Sequence, residues 1–211
     1  MLSNVEPAIG KLLISEPFLI DPNFRRSVIL ITDYQPEGTL GFVINHASSL
    51  LLKDLVPEMS DADFPVYIGG PVATDTIHFL HRCYDKLLDG IEVAKGIYWG
   101  GNFEALKVLI TNGSIKPYEV KFFIGYSGWA PNQLKEEIDI NTWIVSNQYH
   151  QDIVFSNNEE ELWREVIVNL GPKYAHVSNF KGELRIKLEI EDEKAHDRAV
   201  SRGLCCELLS R

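Results

Sequence analysis

Short apolar runs, bounded by turn residues, dominate the chain. Gly10-Lys11-Leu12-Leu13-Ile14-Ser15 predicts a first strand. Residues 27–34 are rich in β-branched side chains, which fit a pleated surface. Pro36-Glu37-Gly38 is a turn, and residues 39–45 return as a second strand, so the two predict a hairpin. Further strands are expected at 64–68, 76–82, 118–124 and 142–146. The run 50–56 predicts one or two helical turns, ended by Pro57, because a residue before proline avoids the α region. After Asn102 the positions Phe103, Leu106, Leu109 and Ile110 share one helical face, and Gly113 is placed to end it. Pro131 suits the first turn of a helix reaching about Asp139. Ser156-Asn157-Asn158-Glu159 matches a capping box, and the helix behind it would bury Leu162, Trp163, Val166 and Leu170 before stopping at Gly171-Pro172. Strands and helices mix without a βαβ rhythm, and hairpins are present. The expected class is therefore α+β, a single compact domain on a partly antiparallel sheet.

The end of the chain has a different texture. Residues 181–211 carry seven basic and seven acidic side chains, so the formal net charge of -10 resides entirely in residues 1–180. A domain over 1–180 and a charged C-terminal extension over 181–211 are expected. Within the extension Leu184, Ile186, Leu188 and Ile190 alternate strictly with polar residues and would lie on one strand face. Such a strand, at 183–191, could support self-association by adding to a sheet edge.

Composition narrows the functional classes. A hydrophobic fraction of 45% and a charged fraction of 24% over 211 residues suit a globular domain. No run approaches the ~18 apolar residues of a membrane span. The N-terminus lacks a basic start followed by an apolar stretch, so no signal peptide is expected, and cytoplasm is the expected compartment. Three cysteines without a spacing pattern do not form a disulfide framework. The negative charge opposes direct nucleic-acid binding, which needs basic groups to displace counterions from phosphates. Arg25-Arg26 is the only basic doublet.

Two glycine signatures stand out: Tyr67-Ile68-Gly69-Gly70-Pro71 and the stretch from Phe123 to Leu134, which includes Gly125-Tyr126-Ser127-Gly128-Trp129-Ala130-Pro131-Asn132-Gln133. Glycine at such points lets the backbone take positive φ or approach another group closely. Gly125-Tyr126-Ser127-Gly128 sits between a predicted strand and a predicted helix, the setting of a hydrolase nucleophile elbow, but the second required glycine falls on Trp129. A milder reading has backbone N–H groups at the helix start, with Ser127 and Gln133, holding an anion. The plain reading has the glycines making a tight turn and Trp129 filling the core. Candidate ligand-binding positions are Gly69, Gly70, Gly125, Tyr126, Ser127, Trp129 and Gln133. Arg26 joins them as a partner for an anionic group, with a structural salt bridge to the acidic body as the equal alternative, and Asn45 as a residue that closes a strand, with a cap on the following turn as its plain reading. His78 and His81 would face opposite sides of a strand, and His81 with Cys83 supplies only two ligands, so no metal is expected. Glu136 and Glu137 read as a solvated helix face, with Gln133 and Glu137 on one side of it. No dinucleotide or P-loop fingerprint occurs, and Gly96-Ile97-Tyr98-Trp99-Gly100-Gly101 lacks the Lys-Ser/Thr successor, so no cofactor is expected.

Several motifs resemble, in order, those of the AlgH/YqgE family of bacterial proteins. They are Gly10 to Ile14, Arg26 to Leu30, Gly41 to Asn45, Gly69-Gly70-Pro71-Val72, Leu80-His81, Gly125 to Trp129, Gln133-Leu134 with Glu136-Glu137, and Trp143. The resemblance implies a compact α+β domain with a barrel-like sheet flanked by helices. It implies a label of transcriptional regulator or simply uncharacterised protein, carries over no catalytic residue, and implies that Ala can stand at the Ser127 position. Residues 181–211 depart from the family pattern. The resulting expectation is a non-enzymatic protein that binds a protein or small ligand and acts on transcription indirectly. The alternative is an enzyme acting on a small anionic substrate at the turn over residues 125–133.

Overall fold

The computed structural model describes residues 5–171. The predicted strand at 183–191, the extension and Cys205-Cys206 lie outside the described residues. The strands are β1 (Leu12–Ser15), β2 (Val28–Gln35), β3 (Gly38–Val43), β4 (Ala47–Leu51), β5 (Pro65–Ile68), β6 (Val72–His81), β7 (Ile91–Ala94), β8 (Ile97–Trp99), β9 (Val120–Trp129) and β10 (Trp143–Ser146). The helices are α1 (Leu52–Leu55), α2 (Tyr84–Leu87), α3 (Phe103–Thr111), α4 (Gln133–Asp139) and α5 (Glu159–Asn169). The class is α+β, as the mixed pattern predicts.

The sheet runs β10-β1-β2-β3-β9-β6-β8-β7, with β4 and β5 off this path. All its pairings are antiparallel except β5 with β9. The sheet curls strongly: Leu12 of β1 and Leu30 of β2 share a core with Val93 of β7 and Ile97 of β8. It stays open, since β10 and β7 end the order and are not paired with one another among the described residues. Helix α5 lays Leu162, Trp163, Val166 and Ile167 into that core. On another side, α3 supplies Leu106 and Ile110 to a cluster with Phe79 and Phe122. On a third, α4 supplies Leu134 and Ile138 to a cluster with Trp129 and Trp143.

Local signals explain most boundaries. Asn102 caps α3 by accepting from the Ala105 backbone N–H at 3.0 Å. Gly113, at φ +73, closes that helix with a bond to the Ile110 carbonyl. The capping box expected at Ser156 does not form: Asn158 takes the N-cap position without a side-chain cap, and Ser156 Oγ accepts from the Asn158 N–H. The larger departure is at β9. The strand does not stop at Ile124 but continues through Gly125 to Trp129. What reads as a strand-to-helix turn is the second half of a central strand, and the turn comes after it.

Candidate functional site

Strand β9 changes partners along its length. Phe122 to Ile124 pair with β5 in parallel, while Ser127 to Trp129 pair with β3. The first glycine signature meets the second at the switch. The Gly69 N–H donates to the Ile124 carbonyl at 2.9 Å, and the Gly69 carbonyl accepts from the Val43 N–H at 2.9 Å and from Ser127 Oγ at 3.0 Å. Gly125 takes φ +65, and a Cβ there would stand 2.7 Å from the Gly70 carbonyl oxygen and 2.8 Å from that of Val72. A Cβ on Gly70 would strike the backbone of Tyr126 and Ser127. The glycines let β9 and the chain after β5 approach backbone to backbone.

These contacts correct the nucleophile-elbow geometry. Ser127 is fully buried, lies within a strand, and its hydroxyl is engaged by a carbonyl rather than by a base. Helix α4 has seven residues, and Gln133 at its start is exposed and folds its side chain back along the helix. Its carbonyl oxygen accepts from the Ala130 N–H at 2.9 Å, and its amide donates to Glu137 Oε1 at 2.9 Å.

Glu137 is the residue that pattern reading misplaced. It is half-buried, not part of a solvated face. Its Oε2 accepts from both indoles, Trp129 Nε1 at 2.8 Å and Trp143 Nε1 at 2.7 Å. Trp129 and Trp143 meet edge to face at 5.9 Å between centroids. Phe24 completes the group, stacked on Trp129 at 6.4 Å and edge-on to Trp143 at 5.5 Å. A cavity of about 290 Å³ opens against these rings and is lined also by Asp21, Gln133 and Glu137. A second, of about 480 Å³, lies across Gly128 and Trp129 and is lined by Asp33, Glu37 and Tyr126 among others. Trp129 is thus both core residue and cavity wall. The i,i+4 spacing of Gln133 and Glu137 is legible in the chain, but the reach of Glu137 to two indoles from β9 and β10 is a tertiary fact. Phe24 and Asp21 lie in an irregular segment with no periodic signal.

Arg26 and Asn45 belong to a different place. Arg26, at φ +55, sets its guanidinium 5.5 Å from the Trp163 ring centroid. Asn45 accepts from the Val28 N–H at 2.8 Å and donates to the Arg26 carbonyl at 2.9 Å. Nearby, Lys121 is buried under Tyr67, its Nζ 3.9 Å from that ring's centroid, and donates to the carbonyls of Ile44 and Ser156 at 2.8 and 2.9 Å. Burial pushes its ammonium down to about 7, with the Glu159 charge acting the other way. Tyr67 donates to Glu159 at 2.7 Å, and burial with that carboxylate raises its phenol. The cluster joins β3, β5, β9 and the start of α5, and its polar atoms are mutually satisfied.

His81 and Cys83 lie 3.7 Å apart, both fully buried. Burial raises the Cys83 thiol to about 11, far from a reactive thiolate. Among the described residues, His, Cys, Asp and Glu side chains form no group of three able to hold a metal ion, and no helix is long and apolar enough to cross a membrane.

The model of a family described as AlgH-like matches residues 12–175. A UPF0301 protein of Chlorobaculum parvum is 38% identical over 170 residues, covering 81% of this chain and 90% of its own. One from Bacteroides thetaiotaomicron is 38% identical over 179 residues, covering 84% and 90%. Among solved structures, the AlgH protein from Pseudomonas aeruginosa aligns with a TM-score of 0.63 at 25% identity, covering 84% of this chain and 97% of that one. A protein from Corynebacterium diphtheriae aligns at 0.68 and 24% identity, covering 83% and 94%, a likeness of fold alone.

Proposed function

Because this chain belongs to the AlgH-like family, we propose that it is a bacterial cytoplasmic binding protein, and that any effect on transcription is indirect. It recognises its ligand beside the end of β9 and does not turn it over. The observation that carries this reading is the division of labour along β9. Gly125 and Ser127 are committed to backbone contacts, while Trp129, two residues on, borders open space next to Gln133 and Glu137. Neither cavity lining at the strand end holds a cysteine, a histidine or a serine. The alternative, an enzyme for a small anionic substrate at residues 125–133, is less well supported, since an anion there would face the Asp21 and Glu137 carboxylates. The indirect role fits a net charge of -10.

Fluorescence anisotropy with labelled promoter DNA at low salt tests the indirect role. No saturable complex is expected, and a tight, salt-sensitive one overturns it. An esterase and phosphatase panel on wild type and Ser127→Ala tests the absence of turnover. An activity present in wild type and lost in the variant restores the enzyme reading.

A further inference from the structure

Among the described residues, one buried side-chain polar atom has no hydrogen-bond partner, His81 Nε2. The carbonyls of Asp89 and Gly100 face it without closing a well-formed bond. Carbonyls only accept, so Nε2 carries the proton of the neutral ring. Nδ1 then turns its lone pair to the Cys83 thiol, 3.7 Å away, and the seat for a second proton is already taken. Burial lowers the His81 imidazole below its ordinary 6.5, with the two carbonyls and the Asp89 carboxylate acting the other way. The other elements around the ring offer an imidazolium no free countercharge. Tyr98 of β8 stacks on it at 5.4 Å between centroids, Tyr84 of α2 stacks on Tyr98 at 4.6 Å, and Phe79 of β6 lies at 5.9 Å. Asp85 of α2 is exposed to water. Along β9, Glu119 is held by Lys86 at 2.6 Å, and Lys121 is turned onto Tyr67.

His81 lies under the β7–β8 hairpin, which ends the sheet order. Among the described residues β7 pairs with β8 alone, and β8 holds to β6 at two register positions, Leu80 with Trp99 and His81 with Tyr98. The Gly100 N–H adds a bond to the Phe79 carbonyl. Left-handed residues flank the hairpin at both ends, Leu88 (φ +55) and Gly90 (φ +121) before it, Gly100 (φ +68) and Gly101 (φ +124) after it. The two ends meet over the ring: a Cβ on Gly90 would stand 2.6 Å from His81 Nε2 and 3.0 Å from the Gly100 carbonyl oxygen. We propose that His81 is an acid-sensitive latch for this hairpin, which swings about residues 88–90 and 100–101 when the imidazole gains a second proton. In the closed hairpin that proton would meet the Cys83 S–H and leave a charge in a dry site. Opening admits water and leaves the imidazolium beside Asp89, an exposed carboxylate on the hinge. It also lifts Val93 and Ile97 out of the core, so at neutral pH it is a minor excursion of the kind amide exchange detects. Acid thus uncovers an apolar surface at the sheet edge, independently of any ligand at the end of β9.

Hydrogen–deuterium exchange of the full chain at about pH 8 and about pH 5, corrected for intrinsic exchange rates, tests the latch. An opened His81 with its ordinary 6.5 takes up a proton that the closed ring refuses, so the closed state loses ground as the pH falls. Protection of the β7 and β8 amides should fall by up to about thirtyfold at the lower pH, while β2 and β3 keep theirs. His81→Gln, which keeps a donor and an acceptor but does not titrate, should remove the fall. Should that variant fold poorly, NMR of the wild-type imidazole still decides. There His81 should stay neutral at about pH 5, with its proton on Nε2. Protection that ignores pH, a fall that survives in His81→Gln, an equal fall across β2 and β3, or a His81 that titrates near 6.5 in the folded chain overturns the latch.

Discussion

At the scale of single residues, Glu137 and Gly125 show how differently two side-chain positions can serve one site. Glu137 satisfies two indole N–H groups that would otherwise be orphaned. Glu137→Ala should cost about 2 kcal/mol, toward the middle of the penalty for buried donors left unpaired, since water can reach a half-buried position. Glu137→Gln keeps an oxygen for the indoles but sets its amide against the Gln133 amide, and should cost about 1 kcal/mol. Urea denaturation of the three proteins checks this order; an unchanged midpoint for Glu137→Ala contradicts the role given to the carboxylate. Gly125→Ala meets two obstacles, a left-handed φ and two carbonyl oxygens within 2.8 Å of the new Cβ. It should destabilise by more than about 2 kcal/mol. A loss under 0.5 kcal/mol in the same assay would show that β9 does not need close backbone approach there.

At the scale of elements, the chain entering α5 docks on a buried lysine, Lys121, through the Ser156 carbonyl. The Lys121 proton is held less firmly in the folded chain, near 7, than at the ordinary 10.5. Between those values the unfolded chain binds a proton that the folded chain has released, so raising the pH favours the folded state. Stability should therefore rise from about pH 7 toward pH 9, with a slope of at most about 1.4 kcal/mol per pH unit, and level off beyond it, where the raised Cys83 thiol keeps a proton that the unfolded chain gives up. Above that range Tyr67 reverses the trend, because its raised phenol keeps a proton that the unfolded chain gives up. Lys121→Met should flatten the rise, and chemical denaturation across this range measures it; an identical pH profile for wild type and Lys121→Met contradicts the assignment. Elements also show where reading a chain succeeds. The β2–β3 hairpin, α3 with its Asn102 cap, and the buried stripe of α5 follow from local periodicity and turn chemistry. Strands β7 and β8 escaped it because three or four residues carry no period. The second half of β9 escaped because glycines at 125 and 128 read as a turn, whereas the φ and close contacts of Gly125 are set by Gly70 and Val72, far away in the chain. For the same reason the Lys121–Tyr67–Glu159 cluster and the Phe24–Trp129–Trp143 walls have no signature in any one segment.

At the scale of the whole molecule, a strongly curled, open antiparallel sheet brings the two glycine signatures into backbone contact and leaves a cavity beyond them, at the end of β9. Family membership accounts for the fold, and Trp129, Trp143 and Glu137 tie β9, β10 and α4 together at that end of it. Nitrogen-15 NMR of the full chain and of its Glu137→Ala variant tests this most directly because each of the four tryptophans carries an indole N–H. The signals of Trp129 and Trp143 should shift together in the variant, while those of Trp99 and Trp163 stay in place. Shifts confined to Trp99 and Trp163, or to the backbone amides around Gly69 and Gly125, would contradict the account.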